Sequence, residues 1–202
     1  VFLSPVAGQA LPPDLDGLYI GGGYPELFAE QLAGNEKLRK QIRDRSRAGM
    51  PIYAECGGFM YLCRELRDTE DRTWPMTGCF PFATAMFSRL RSLGYREITL
   101  KKDTILGRKG QVIRGHEFHY SGIVRPPEDE TVPAPSDDAP GRIHHHPGGE
   151  CAADTVYIVT NRNGTDRIYE GYQSCQTIGS YIHLHFGSCP DAARYFVRAC
   201  GD

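Results

Sequence analysis

The sequence predicts an α/β domain, and three observations carry that prediction. Short apolar runs alternate with helix-patterned segments through the first third of the chain, glycines follow two of those runs, and later segments alternate residue by residue, as strands with one wet face do. The 202 residues suffice for one domain with a substantial core. No run approaches the roughly eighteen consecutive apolar residues of a membrane span, and no charged-then-apolar leader precedes a small-residue cleavage site. A net charge of −2 leaves no basic footprint for nucleic acid or for an anionic membrane surface. Seven cysteines, an odd number without a C-x-x-C pair, argue for reduced thiols in a cytoplasm rather than a disulfide framework.

Val1-Phe-Leu-Ser-Pro5 opens directly on a strand-like run, with no methionine and nothing ahead to cover it, as a cut end would. Leu15–Ile20 is a second apolar run and feeds Gly21-Gly-Gly-Tyr-Pro-Glu26. Backbone can approach a ligand closely there, because the glycines remove the side chains that would intervene; a plain strand-to-helix turn is the alternative. No G-x-x-x-x-G-K-[ST] occurs, so the chain carries no nucleotide cradle of its own. Asn35 and Glu36 start a helix that places Leu38 and Ile42 on one face, and Gly49 before Pro51 stops it.

Pro51-Ile-Tyr-Ala-Glu-Cys56-Gly-Gly-Phe-Met-Tyr-Leu62 then reads as strand, sharp turn and a helix reaching about Arg67. A nucleophile at such an elbow stands proud of the sheet edge, and crowding forces small residues two before and two after it, here Ala54 and Gly58. The start of the helix would favour the thiolate of Cys56. The competing reading is a buried structural cysteine.

Thr73–Phe82, with two prolines and a glycine, reads as irregular chain. Gly94–Leu100 and Gln111–Arg114 read as antiparallel strands. Gly115-His-Glu-Phe-His-Tyr-Ser121 continues in strand fashion, with His116, Phe118 and Tyr120 on one face and Glu117, His119 and Ser121 on the other. From about residue 125 to 154 the proline- and acid-rich composition predicts a mobile loop. His144-His-His146 lies inside it, without a second cluster at metal-ligand spacing, so no metal site is expected. Val156–Thr160 and Arg167–Glu170 around Asn163-Gly164 form a hairpin. Gln176–Phe186 is the last strand, and Ser188 with Asp191 makes a capping box for a closing helix to about Cys200.

A thiolate nucleophile needs a base that takes its proton and later hands one to the leaving group, which near neutrality means histidine. His183 and His185, at the exit of the last strand, are the candidates, and from spacing alone either could serve Cys56.

Together the elbow around Cys56, the turn Leu-Tyr-Ile-Gly-Gly-Gly-Tyr-Pro-Glu26, Gly-His-Glu-Phe-His-Tyr-Ser121 and Ser-Tyr-Ile-His183-Leu-His-Phe186 resemble the glutamine amidotransferase domain of the cobyrinic acid a,c-diamide synthase family. The resemblance implies a flavodoxin-like three-layer sandwich with a mostly parallel central sheet and some antiparallel strands. It also implies one domain over residues 1–202 that lacks its first strand and helix. By position, Cys56 corresponds to the family nucleophile and His183 to the histidine that raises its nucleophilicity. Gly22, Gly23 and Tyr24 would form one side of the oxyanion hole, with the Gly57 N–H on the other. The wider class carries a glutamate two residues after the catalytic histidine, where this chain has His185, so the third triad member has no counterpart by position. His185, His116, Glu117 and His119 are expected to support the site. The implied reaction is hydrolysis of glutamine to glutamate and ammonia in the cytoplasm. The ammonia would serve an ATP- and Mg-dependent synthetase domain that amidates a corrinoid, and no cofactor is expected in this chain. A silent amidotransferase-like binding module and a cysteine-elbow redox protein are the rival readings.

Overall fold

A computed structural model describes residues 1–124, 153–161, 164 and 167–201. The loop expected at 125–154 lies outside the described residues except for Ala153 and Asp154, and so does the histidine triplet. In chain order the elements are β1 (Leu18–Ile20), α1 (Ala29–Gly34), α2 (Glu36–Arg47), β2 (Ile52–Glu55), α3 (Gly57–Leu62), β3 (Glu65–Arg67), β4 (Thr73–Pro75), β5 (Ala83–Met86), β6 (Ser92–Leu100), β7 (Val112–His119) and β8 (Ser121–Val124). They continue with β9 (Asp154–Asn161), β10 (Arg167–Ser174), β11 (Thr177–Ser180), β12 (His183–Leu184) and α4 (Pro190–Gly201).

The large sheet has the order β1-β2-β11-β10-β9-β6-β7-β12. Only β1/β2 and β2/β11 pair in parallel, while every other neighbouring pair is antiparallel. The expected mostly parallel flavodoxin sandwich is therefore wrong. Parallel neighbours need a crossover, usually helical, and helices lie only in the first part of the described chain and at its end. Between α3 and α4 the described elements are strands that turn back on one another, apart from a single 3₁₀ turn at Phe186–Ser188.

The sheet is also curled into a half-barrel. β11 is third in the order and β12 eighth, yet only Tyr181 and Ile182 separate them in sequence. Five inter-strand spacings in a flat sheet would put them about 24 Å apart. The step from Ser180 to His183 spans at most about 11 Å. The far edge must therefore roll back towards the middle.

Several local expectations hold. Asn35 accepts the Leu38 N–H at 3.3 Å and caps α2, and Gly49 takes a left-handed φ of 87° after it. Along β7, Ile113, Gly115 and Glu117 are buried while Val112, His116 and Phe118 are exposed. β9 and β10 pair as the predicted hairpin.

Others fail for identifiable reasons. Val1 and Phe2 are fully exposed and form no strand; a short 3₁₀ turn at Pro5–Ala7 follows. α3 stops at Leu62 because Cys63 is already extended, and Glu65–Arg67 instead joins a second sheet ordered β4-β3-β5-β8. Thr73–Pro75, within the segment read as irregular, is part of that sheet. Ser188 does not cap α4: its hydroxyl accepts the Arg114 N–H at 3.0 Å and donates to the His185 carbonyl at 2.7 Å. Cys56, Cys63, Cys79, Cys189 and Cys200 are free thiols, but Cys175 is disulfide-bonded, contrary to the expectation of reduced cysteines throughout. No helix among the described residues is long and apolar enough to cross a membrane.

Two cores flank the large sheet. One gathers Leu38, Ile42, Phe59, Leu62, Leu66, Phe80 and Phe82 around α2, α3 and the small sheet. The other places Tyr53, Ile98, Ile113, Tyr157, Ile182 and Leu184 between the sheet and α4. A helix of six residues has no independent stability, so α3 depends on its burial, and all six of its residues are buried. Phe59 anchors it, with ring centroids 5.7 Å from Phe80, 5.5 Å from Tyr172 and 5.2 Å from Tyr181. Phe59→Ala is expected to lower unfolding free energy by about 3–5 kcal/mol, read as a reduced urea midpoint at unchanged slope.

Candidate active site

β2 is buried along its whole length and ends at the elbow. Cys56 there adopts φ 48° and ψ −109°, a conformation that costs a non-glycine residue on the order of 1–3 kcal/mol. Two backbone hydrogen bonds hold it: the Cys56 N–H donates to the Ser180 carbonyl at 2.7 Å, and the Cys56 carbonyl accepts the Met60 N–H at 3.0 Å. The chain leaving β1 lies against the first turn of α3. A Cβ on Gly58 would come 2.5 Å from the Ile20 carbonyl oxygen, and one on Gly57 2.4 Å from that of Gly23. Side chains at either position would push the two turns apart, which is why the elbow reads Cys-Gly-Gly.

The Gly22–Gly23–Tyr24 turn is exposed and borders the same spot. A Cβ on Gly22 would stand 2.3 Å from Cε1 of His183, so only glycine lets the imidazole sit where it does. The backbone of Gly22, Gly23 and Gly57 thus surrounds the space between Cys56 and His183. The Gly57 N–H, in the first turn of α3, has no intrahelical acceptor.

His183 arrives from the opposite end of the chain. It lies in β12 opposite His116 of β7, and the two rings stack with centroids 4.9 Å apart and planes 12° apart. Hydrogen bonding to the Cys56 sulfur, and secondarily to Glu55, raises its pKa to about 10 against the opposing effect of burial. The imidazolium is the favoured form of this ring at neutral pH.

His185, the other candidate from the sequence, is exposed and rests beside Gly187. Glu117 is buried but engaged elsewhere, accepting from Arg96 Nε at 2.9 Å and from the Ser92 hydroxyl at 2.5 Å. His119 stacks on Tyr181 with centroids 4.1 Å apart, its Nδ1 lies 2.9 Å from the Ser121 carbonyl, and burial lowers its pKa. Of the four supporting candidates, only His116 touches the Cys56–His183 pair. Among the described residues, no group of three or more His, Cys, Asp or Glu is placed to hold a metal ion.

Glu55 was not foreseen. It is buried, with one carboxylate oxygen 3.6 Å from His183 Nδ1. Burial pushes its pKa up, but hydrogen bonds from His183, Tyr53, the Leu184 N–H and Tyr19 outweigh that and leave it below the usual carboxylate range. A signal was present in the sequence: it is the one charged residue in the otherwise uncharged run Pro51–Leu62.

A strand-elbow cysteine paired with a histidine from a distant strand, beside glycine amides on an α/β frame, defines a thiol-nucleophile domain of the amidotransferase type. Residues 1–190 match the model of the CobB/CobQ-like glutamine amidotransferase domain, and the chain belongs to that family. It is 40% identical over 200 residues to the cobyrinate a,c-diamide synthase of Leptospira interrogans serovar copenhageni, covering 99% of this chain and 39% of that protein. With the synthase of Archaeoglobus fulgidus the identity is 38% over 198 residues, covering 98% and 38%. The chain thus spans about two fifths of the length of the curated relatives it matches. Among solved structures it resembles a crystal structure described as a glutamine amidotransferase, with a TM-score of 0.56 at 16% identity, over 93% of this chain and 80% of that one. PurLQS from Thermotoga maritima gives 0.53 at 15% identity, over 95% and 81%. At such identities the two structures speak for the fold alone.

The Gly22 contact yields a test. Gly22→Val should displace the imidazole, so that its NMR titration midpoint falls from about 10 towards the ordinary 6.5. A raised histidine pKa contributes stability that is complete below about pH 6.5 and lost as pH rises through about 10. The variant's denaturation midpoint should accordingly vary less with pH across that window than the parent's.

Proposed function

We propose that this chain is the glutamine-hydrolysing unit of a cobyrinate a,c-diamide synthase. The observation that carries the reading is the Cys56–His183 contact set against the Gly22–Gly23–Gly57 backbone. Cys56, as thiolate, attacks the side-chain carboxamide carbon of glutamine. The carbonyl oxygen takes up the electron pair and is met by backbone N–H groups, of which Gly57 supplies one. The C–N bond breaks as His183 gives its proton to the nitrogen, and ammonia departs. Water, deprotonated by the now neutral imidazole, opens the thioester and releases glutamate and the thiolate.

In this reading ATP, Mg²⁺ and the corrinoid carboxylates are handled by the remainder of a longer cytoplasmic protein, with ammonia passing to an activated carboxylate. Ammonia released into neutral water takes up a proton and ceases to be a nucleophile, so the acceptor domain should sit directly on the mouth of the site. The surface there suits a partner. Leu93 faces Phe118 and Tyr95 faces His116 across β6 and β7, and Leu93, Tyr95, Phe118 and Tyr120 are all exposed. Tyr24, Leu27 and Phe28 are exposed beyond the glycine turn on the other side. We assign this apolar rim to the acceptor domain, which accounts for the part of the relatives' length that the chain does not span.

Glutamate release tests the reading. Cys56→Ala should abolish turnover and labelling by an electrophilic glutamine analogue, and His183→Ala should slow turnover at least about 10³-fold. Wild-type rates in either variant would remove that residue from the mechanism. For the rim, Tyr95→Glu with Phe118→Glu in the longer protein should reduce glutamine-dependent amidation at least about tenfold. Amidation from added ammonia should be retained; an equal loss with both nitrogen donors would refute the docking assignment.

A further inference from the structure

We infer that Glu55, the residue immediately before the nucleophile, is the positioning carboxylate of the Cys56–His183 pair. The assignment deepens the amide-hydrolysis reading and rests on it for the identity of the reaction, though not for the geometry. The position two residues after His183 is occupied by His185, which is exposed and supplies no carboxylate. Two other buried glutamates are committed elsewhere: Glu117 to Arg96 and Ser92, and Glu170 to the Ser180 hydroxyl at 2.5 Å and the Tyr181 N–H at 2.8 Å.

Glu55 is held on all sides. Oε1 accepts the Tyr53 hydroxyl at 2.6 Å and the Leu184 N–H at 2.8 Å, while Oε2 accepts the Tyr19 hydroxyl at 2.9 Å and faces His183 Nδ1 at 3.6 Å. The Tyr19 and Tyr53 rings stack with centroids 5.7 Å apart, so their hydroxyls lie side by side and reach one oxygen each. One carboxylate therefore meets both the ring of His183 and the backbone of the next residue, tying β12 to the strand that carries the nucleophile. A carboxylate locked by three donors and aimed at Nδ1 selects the ring orientation that leaves the other nitrogen for Cys56. It also stabilises the imidazolium that forms when the thiol gives up its proton. No proton needs to reach Glu55 for this.

The titratable groups facing His183 are Cys56, Glu55 and His116, with His119 further off. Those facing Glu55 are His183, Tyr53 and Tyr19, with Tyr157 acting at longer range. The phenols stay neutral over the range of interest, since burial and then Glu55 raise the pKa of Tyr19, while burial, then Tyr157 and then Glu55 raise that of Tyr53. The pH response of the pair therefore isolates the carboxylate.

The test replaces the charge and keeps the shape. In Glu55→Gln, the His183 titration midpoint should fall from about 10, and the pH profile of Cys56 alkylation by iodoacetamide should move to higher pH. Glutamate release should lose about 10²–10⁴-fold in kcat with KM changed less than about threefold. Glu55→Asp should recover part of the loss, and Tyr19→Phe, which keeps the charge, should lose less than about tenfold. A folded Glu55→Gln with parental titration and alkylation profiles would overturn the assignment. If that variant does not fold, unchanged profiles in both Glu55→Asp and Tyr19→Phe would do so. The titration and alkylation readouts need no glutamine. A chain without glutaminase activity but with coupled profiles would refute the proposed function and leave Glu55 in place.

Discussion

The site depends on one parallel pairing. β2 and β11 run side by side from Ile52/Thr177 to Glu55/Ser180, and the ladder ends with the Cys56 N–H on the Ser180 carbonyl. That bond fixes the elbow on one side. On the other it sets the start of a two-residue step, after which the chain is already in β12 at the far margin of the sheet. A nucleophile from residue 56 and an imidazole from residue 183 meet because their strands share a ladder end and the sheet curls round to receive the second of them. The glycines at 22, 57 and 58 follow from the same crowding: three chain segments converge, and two of the three cannot carry side chains where they touch.

What the sequence made legible was local chemistry. The Cys-Gly-Gly elbow, the Asn35 cap and the two faces of β7 depend on neighbours a few residues away, and those patterns survive folding. Strand direction does not have that character. An apolar run of four residues reads the same in a parallel or an antiparallel partner, and only the connections decide. The resemblance to a broad fold class suggested a parallel sheet where hairpins had already made an antiparallel one. The end of α3 was lost for a related reason. Helix propensity continues past Leu62, but Glu65–Arg67 gains two strand partners, Thr73–Pro75 and Ala83–Met86, and long-range pairing overrides the local preference.

Glu55 illustrates a different blindness. A search for a third catalytic partner by sequence offset looks two residues downstream of the histidine, where the resemblance implies a glutamate and this chain has His185. Here the carboxylate stands next to the cysteine and reaches the histidine through space, 3.6 Å away. Its visibility lay in burial rather than spacing. An ionised side chain at the end of a fully apolar strand is costly unless several donors meet it, and Tyr19, Tyr53 and the Leu184 N–H do so. Glu117 and Glu170 obey the same rule with other donors, so burial nominates three carboxylates and contact selects one.

The register of the last strand has a consequence of its own. β12 is only two residues long, and its alignment is borrowed from β7, where His183 lies opposite His116 and Leu184 opposite Gly115. β7 is in turn gauged along eight consecutive rungs by β6. The long hairpin therefore works as a ruler for the imidazole, measuring its place against strands that take no part in the chemistry. Because side chains change sides at every rung, slippage of a single rung would not merely shift that ring but turn it through the sheet. The exactness of the centre is stored in the length of a ribbon beside it.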